Sequence, residues 1–123
     1  MSGRPRPHPH LSVRVDDSPA RVEIRLAGEL DLASVPQLRQ VLDAHSRSGQ
    51  TMVIDLSKLE FVDSMGLAAL VRARHRAIAR GAKLQLVAPP ESVYKVFALT
   101  HLDRIFEWVP PAPRTQSTAS DGA

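Results

Sequence analysis

Between Met52 and Ile78 the spacing of apolar residues changes period, and that change leaves few architectures open. Met52, Ile54 and Leu56 lie on one side of an alternating run, with Val53 and Asp55 on the other. This predicts a strand over 52–56. Leu67, Leu70, Val71 and Ile78 then recur at helical spacing, which predicts a helix over 64–79 stopped by Gly81. Asp63-Ser64-Met65-Gly66 sits at the junction. Ser64 is thereby placed at or next to a helix N-cap, where a side-chain oxygen accepts a backbone N–H. The same place tolerates a phosphate, because the first N–H groups of a helix are unpaired and its dipole favours negative charge.

The rest of the chain continues the alternation. Leu11, Val13 and Val15 alternate with Ser12 and Arg14; Val22, Ile24 and Leu26 alternate with Arg21, Glu23 and Arg25. The turn residues Asp16-Asp17-Ser18-Pro19 between them predict an antiparallel hairpin. Ser34 is positioned to cap a helix from about Val35, with Pro36 in its first turn, Leu38, Val41 and Leu42 inward, and Gly49 after its end. Lys83 to Val87 reads as a fourth strand. Pro89-Pro90 opens a short helix with Val93, Val96 and Phe97 inward, and Ile105 to Val109 reads as a last strand. The predicted fold class is α/β, with a mixed sheet of four to five strands: an N-terminal antiparallel hairpin, then parallel strands joined by right-handed crossovers. Leu84 and Leu86 oppose Lys83 and Gln85, so the strands are apolar on one side. A sheet covered on both faces carries near-continuous apolar strands. The helices are therefore expected on one face.

A chain of 123 residues supports one domain with one core. Six of the ten prolines fall in residues 1–10 and 110–123, which read as a flexible basic arm and a disordered tail around a domain at 11–109. The absence of cysteine excludes disulfides and thiolate metal sites. No apolar run approaches the roughly 20 residues of a membrane span, and MSGRPRPHPH has no apolar core of a secretory signal. A cytoplasmic protein without membrane insertion is expected. The net charge of +3 resides mainly in Arg4 and Arg6, so residues 11–109 are nearly neutral and direct nucleic-acid binding is not expected. His8 and His10 lie in the arm, and His45, His75 and His101 are scattered, so no metal or cofactor site is expected. Arg72, Arg76 and Arg80 lie one turn apart; such a ridge is usually a solvated helix face. It is also a minor candidate for contact with an acidic partner.

Three segments carry a family resemblance: GELDLASVPQLRQVL at 28–42, VIDLSKLEFVDSMGLAALV at 53–71 and FALTHLDRIFEWV at 97–109. They resemble the STAS domain of bacterial anti-sigma factor antagonists over about residues 11–109. In that family the serine of a D-S-x-G motif is phosphorylated by the partner, an anti-sigma factor with ATP-dependent serine-kinase activity. The resemblance implies that Ser64 is the phosphoacceptor. It also implies that Asp31, Asp63, Ser64, Met65 and Gly66 face the partner, that a phosphoserine phosphatase resets the switch, and that the chain is no enzyme. Met65 stands where a smaller residue is commoner, and His101 where a glycine is common. STAS domains also serve as accessory subunits of lipid ABC transporters and as scaffolds of stress complexes, and these readings stay open.

From the residues alone, Ser64 reads as a plain N-cap, and only its D-S-x-G context favours the acceptor. Asp31 either caps its loop or contacts the partner; both remain open. Two other classes fit less well. A serine hydrolase elbow requires G-x-S-x-G, and Val62 occupies the first glycine's place. A receiver-like acidic pocket could draw on Asp16, Asp17 and Asp55, but the second segment is a strand and no lysine ends the last one.

Overall fold

The structure, a computed structural model, describes residues 10–112; the expected arm and tail, with His8, lie essentially outside them. The chain runs through β1 (Leu11–Asp17), β2 (Arg21–Leu30), α1 (Val35–His45), β3 (Thr51–Val62), α2 (Ser64–Ala79), β4 (Lys83–Val87), α3 (Glu91–Leu99), a 3₁₀ turn (Leu102–Arg104) and β5 (Glu107–Trp108). The sheet has five strands in the order β1-β2-β3-β4-β5. β1 and β2 are antiparallel and every later pair is parallel. The expected mixed sheet is present.

One apolar cluster joins the sheet to all three helices. Val22, Ile24, Leu26, Met52, Ile54, Leu56, Leu84 and Leu86 meet Leu38 and Leu42 of α1, Leu67, Leu70, Ala73 and Ala77 of α2, and Val93 and Phe97 of α3. A strand order that follows the chain, with each crossover of the same hand, puts every helix on one face. The other face carries the alternate residues, such as Arg14, Arg25, Asp55 and Gln85, in cross-strand rows.

Four local expectations are corrected. β3 extends to Val62 rather than ending at Leu56. Its pairing with β2 shifts register between Arg25 and Ala27 and again between Gly28 and Glu29. Such bulges break strict alternation, which is why the pattern faded after Leu56. β5 is two residues rather than Ile105 to Val109, because the 3₁₀ turn and Phe106 precede it. Phe106 is buried and stacks edge-on to Phe97 at 6.1 Å. Ile78 is 54% exposed; Ala73 and Ala77 occupy the inner face of α2 instead. Ser34 stands at the N-cap position of α1 but its side chain makes no cap bond. Its hydroxyl donates to the Glu29 carbonyl at 2.8 Å and accepts from Asp31 N–H at 3.0 Å, bracing the loop instead.

Candidate functional site

β3 ends and α2 begins at Asp63-Ser64. The residue that caps α2 is Asp63, not Ser64. Asp63 has extended backbone and its Oδ1 accepts from Gly66 N–H at 2.8 Å. Its Oδ2 accepts from Leu32 N–H at 3.2 Å, and its own N–H donates to the Leu30 carbonyl at 3.2 Å. One carboxylate thus closes the start of α2 and ties it to the loop that follows β2. Ser64 is the first residue of α2 and is exposed. Its hydroxyl has no hydrogen-bond partner among the described residues, and neither do the N–H groups of Ser64 and Met65. An anion placed on that hydroxyl meets the positive end of the helix dipole.

Gly66 is buried beneath this turn. A Cβ there would run into the Leu30 carbonyl oxygen and Val62 Cγ2, closer than real Cβ atoms approach. The glycine is required by the close approach of α2 to the end of β2. Asp31 is half-buried; its Oδ1 accepts from Ser34 N–H at 3.1 Å, and its carbonyl accepts from Val35 N–H at 2.9 Å. Of its two open readings, the loop-capping bond is therefore made. The Asp63–Leu32 bond sets Asp31 in the loop beside the Ser64 turn. The structure so brings the Asp31 loop, Asp63, Ser64, Met65 and Gly66 to one end of the sheet.

Sequence reasoning named Met65 at this end but missed the two apolar residues beside it, Leu32 and Phe61. Leu32 is 65% exposed, Phe61 46% and Met65 40%. Leu32 adjoins Asp31 and is bonded through its amide to Asp63; Phe61 is the penultimate residue of β3, three residues before Ser64. Their signal was present: both are large apolar residues inside the two motif segments at positions that fit neither core pattern. A hydroxyl at a helix start, with exposed apolar side chains on the adjoining strand, loop and helix, suits contact with another protein. The acidic pocket of a receiver domain is not formed. Asp17 lies on the core side of the sheet with its cross-strand neighbour Val22, whereas Asp55 lies on the opposite side with Arg25. Asp55 is 2% exposed and accepts from Ser57 N–H at 2.9 Å, so it bonds nearby backbone and does not face solvent. Among the described residues no group of three or more His, Asp or Glu could hold a metal ion, and no helix is long and apolar enough to cross a membrane.

The fold and this strand-to-helix site define a class. Residues 13–109 match the family described as "Mlab, STAS domain", and the chain belongs to the STAS-domain family. Its relatives narrow the class. The anti-sigma-B factor antagonist of Bacillus subtilis is 28% identical over 98 residues, covering 80% of this chain and 90% of that protein. That of Listeria monocytogenes is 29% identical over 87 residues, covering 70% of this chain and 76% of that one. An anti-sigma factor antagonist from Mycobacterium paratuberculosis has a similar crystal structure, with a TM-score of 0.72 and 28% identity over 90% of this chain and 94% of that one.

Proposed function

We propose that this protein is an anti-sigma factor antagonist that acts by partner switching at Ser64. The unphosphorylated form binds an anti-sigma factor with serine-kinase activity and so releases a sigma factor. Phosphorylation of Ser64 by that partner ends binding, and a phosphoserine phosphatase restores it. The observation that carries this reading is the division of labour between neighbours: Asp63 does the capping, which leaves the Ser64 hydroxyl exposed and without a bond among the described residues. The names of the relatives support the same role.

The physics of the switch is local. A phosphate adds about −1.5 to −2 charge. The helix start stabilises that charge, so the fold is retained. A partner seated on Leu32, Phe61 and Met65 has to desolvate the new charge beside Asp63, and like-charge repulsion adds to the cost. A penalty of about 4 kcal/mol weakens binding about a thousandfold. In this reading Asp31, Asp63, Met65 and Gly66 shape the bound surface, the chain itself catalyses nothing, and the exchange takes place in the cytoplasm.

A pull-down with and without ATP, with mass spectrometry of the Ser64 peptide, tests the proposal. Ser64→Ala retains the partner in the presence of ATP and takes up no phosphate. Ser64→Asp folds normally by circular dichroism but binds weakly by calorimetry. Phosphate uptake by the alanine variant, or a melted aspartate variant, would remove Ser64 from its assigned role. Recovery of an ABC-type ATPase in place of a kinase-like partner would favour an accessory subunit of a lipid transporter, a role the same fold supports.

A further inference from the structure

β1 forms one edge of the sheet, and its pairing with β2 dictates which of its backbone groups face outward. At the hairpin turn Ser18 and Arg21 exchange both backbone hydrogen bonds, at 2.9 and 3.3 Å. Hydrogen-bonded and non-bonded pairs alternate along an antiparallel ladder. Asp16, Arg14 and Ser12 therefore bond to β2, while Leu11, Val13, Val15 and Asp17 point their N–H and C=O groups away from the sheet. The Leu11 carbonyl is taken by Gln37 Nε2 at 3.0 Å. The outward groups of Val13, Val15 and Asp17 find no partner among the described residues.

The open face of this edge holds an unusual arrangement of charge. Arg14 lies directly opposite Arg25, and Asp16 directly opposite Glu23. Like charges directly opposite each other destabilise a strand pair. Arg25 Nε is buried without a hydrogen-bond partner among the described residues and sits 3.9 Å from Glu23.

We propose that two copies of this chain pair through β1, antiparallel about a two-fold axis at Val15, and fuse their sheets into one. In that register Val15 meets Val15 of the second copy, and Val13 meets Asp17, each pair exchanging N–H···O bonds between outward groups. Arg14 then faces Asp16 of the second copy at the closely spaced, non-bonded positions, where side chains approach most. The row across the joined sheet becomes Arg25, Arg14, then Asp16 and Glu23 of the second copy, so each like-charge pair meets its opposite. Val15, 37% exposed in one copy, is covered. A register centred on Val13 instead sets Arg14 against Ser12 and needs the Leu11 carbonyl that Gln37 already holds. Charges on an edge strand ordinarily block pairing. Opposite charges two residues apart on an antiparallel edge instead complement themselves. Ser64 is not on β1, so the association is separate from the switch.

Sedimentation of the full chain across a concentration series tests this. The wild type shows a reversible monomer–dimer equilibrium. Arg14→Asp alone and Asp16→Arg alone each set like charges together and weaken the dimer at least about tenfold. An equimolar mixture of those two variants restores association, since each supplies the charge the other lacks. Val15→Pro removes an outward N–H that the pairing with β2 does not use, and gives a monomer with an unchanged circular dichroism spectrum. A wild type that stays monomeric up to about 1 mM, a dimer undiminished in the single variants, or a mixture that does not associate overturns the proposal.

Discussion

His101 adopts φ 63°, the one left-handed non-glycine residue among those described. It follows α3 and its C-cap Thr100, the position where a helix commonly ends on glycine. The sequence showed a histidine where a glycine is common, and the backbone explains why glycine suits the place. His101→Gly is expected to raise stability by about 0.5–1 kcal/mol, measured by urea unfolding. Asp63 is the more consequential residue. Its carboxylate serves Gly66 and Leu32 at once, so Asp63→Ala is expected to cost about 1–2 kcal/mol. Ser64→Ala should leave the unfolding midpoint nearly unchanged. A larger loss in the serine variant than in the aspartate variant would invert the assignment of the cap. Spacing located this junction but put the cap on Ser64, one residue too far, because both adjacent residues favour N-caps. The choice is made by the Leu32 amide, thirty-one residues away in sequence, which only Asp63 reaches.

At the scale of elements, periodic segments were legible and irregular ones were not. α2 and β4 have the boundaries their spacing predicts. β3 outran its pattern because two register shifts, around the polar residues Ser57, Lys58 and Glu60, hide its second half. The last strand is shorter than its apolar run because Ile105 and Phe106 are apolar for a different reason: they pack against the main apolar cluster. There Phe97, Phe106 and Trp108 stack on one another, and Trp108 Nε1 donates to the Asp103 carbonyl at 2.8 Å. A second tie joins β1 to the end of α1. Asp17 pairs with His45 at 2.7 Å and with Arg47 at 3.2 Å, and Gln50 donates to it at 3.3 Å. The hydrogen bond from His45, helped by the charges of Arg47 and His45, holds the Asp17 carboxyl below its ordinary value. A carboxyl depressed in the folded state stabilises it above the unfolded pKa and loses that contribution as pH falls through the folded one. Thermal unfolding should therefore separate wild type from Asp17→Asn at pH 6, with the gap closing as pH drops below about 4. A gap that persists at low pH would mean the tie is not ionic.

For the molecule as a whole, the one-sided alternation of Met52, Ile54 and Leu56 and of Leu84 and Leu86 sufficed to place three helices on one face. The chemistry of the far face was not legible, because no single strand reveals that Arg14 stands opposite Arg25. Periodicity leaves Leu32 and Phe61 outside both core patterns, but that they border the Ser64 turn depends on which loop lands beside which. The strand order β1-β2-β3-β4-β5 also governs how the chain reaches its native state. Each strand pairs with the one synthesised just before it, but only β1 and β2 meet through a tight turn; each parallel pair, such as Arg21 with Thr51 or Thr51 with Lys83, first has to close a loop that contains a whole helix. The hairpin is therefore the pairing expected to form most readily, and the parallel pairings are the slower steps. During translation every new strand finds its neighbour already exposed, and the aromatic stack around Trp108 closes last, as the final strand is laid down.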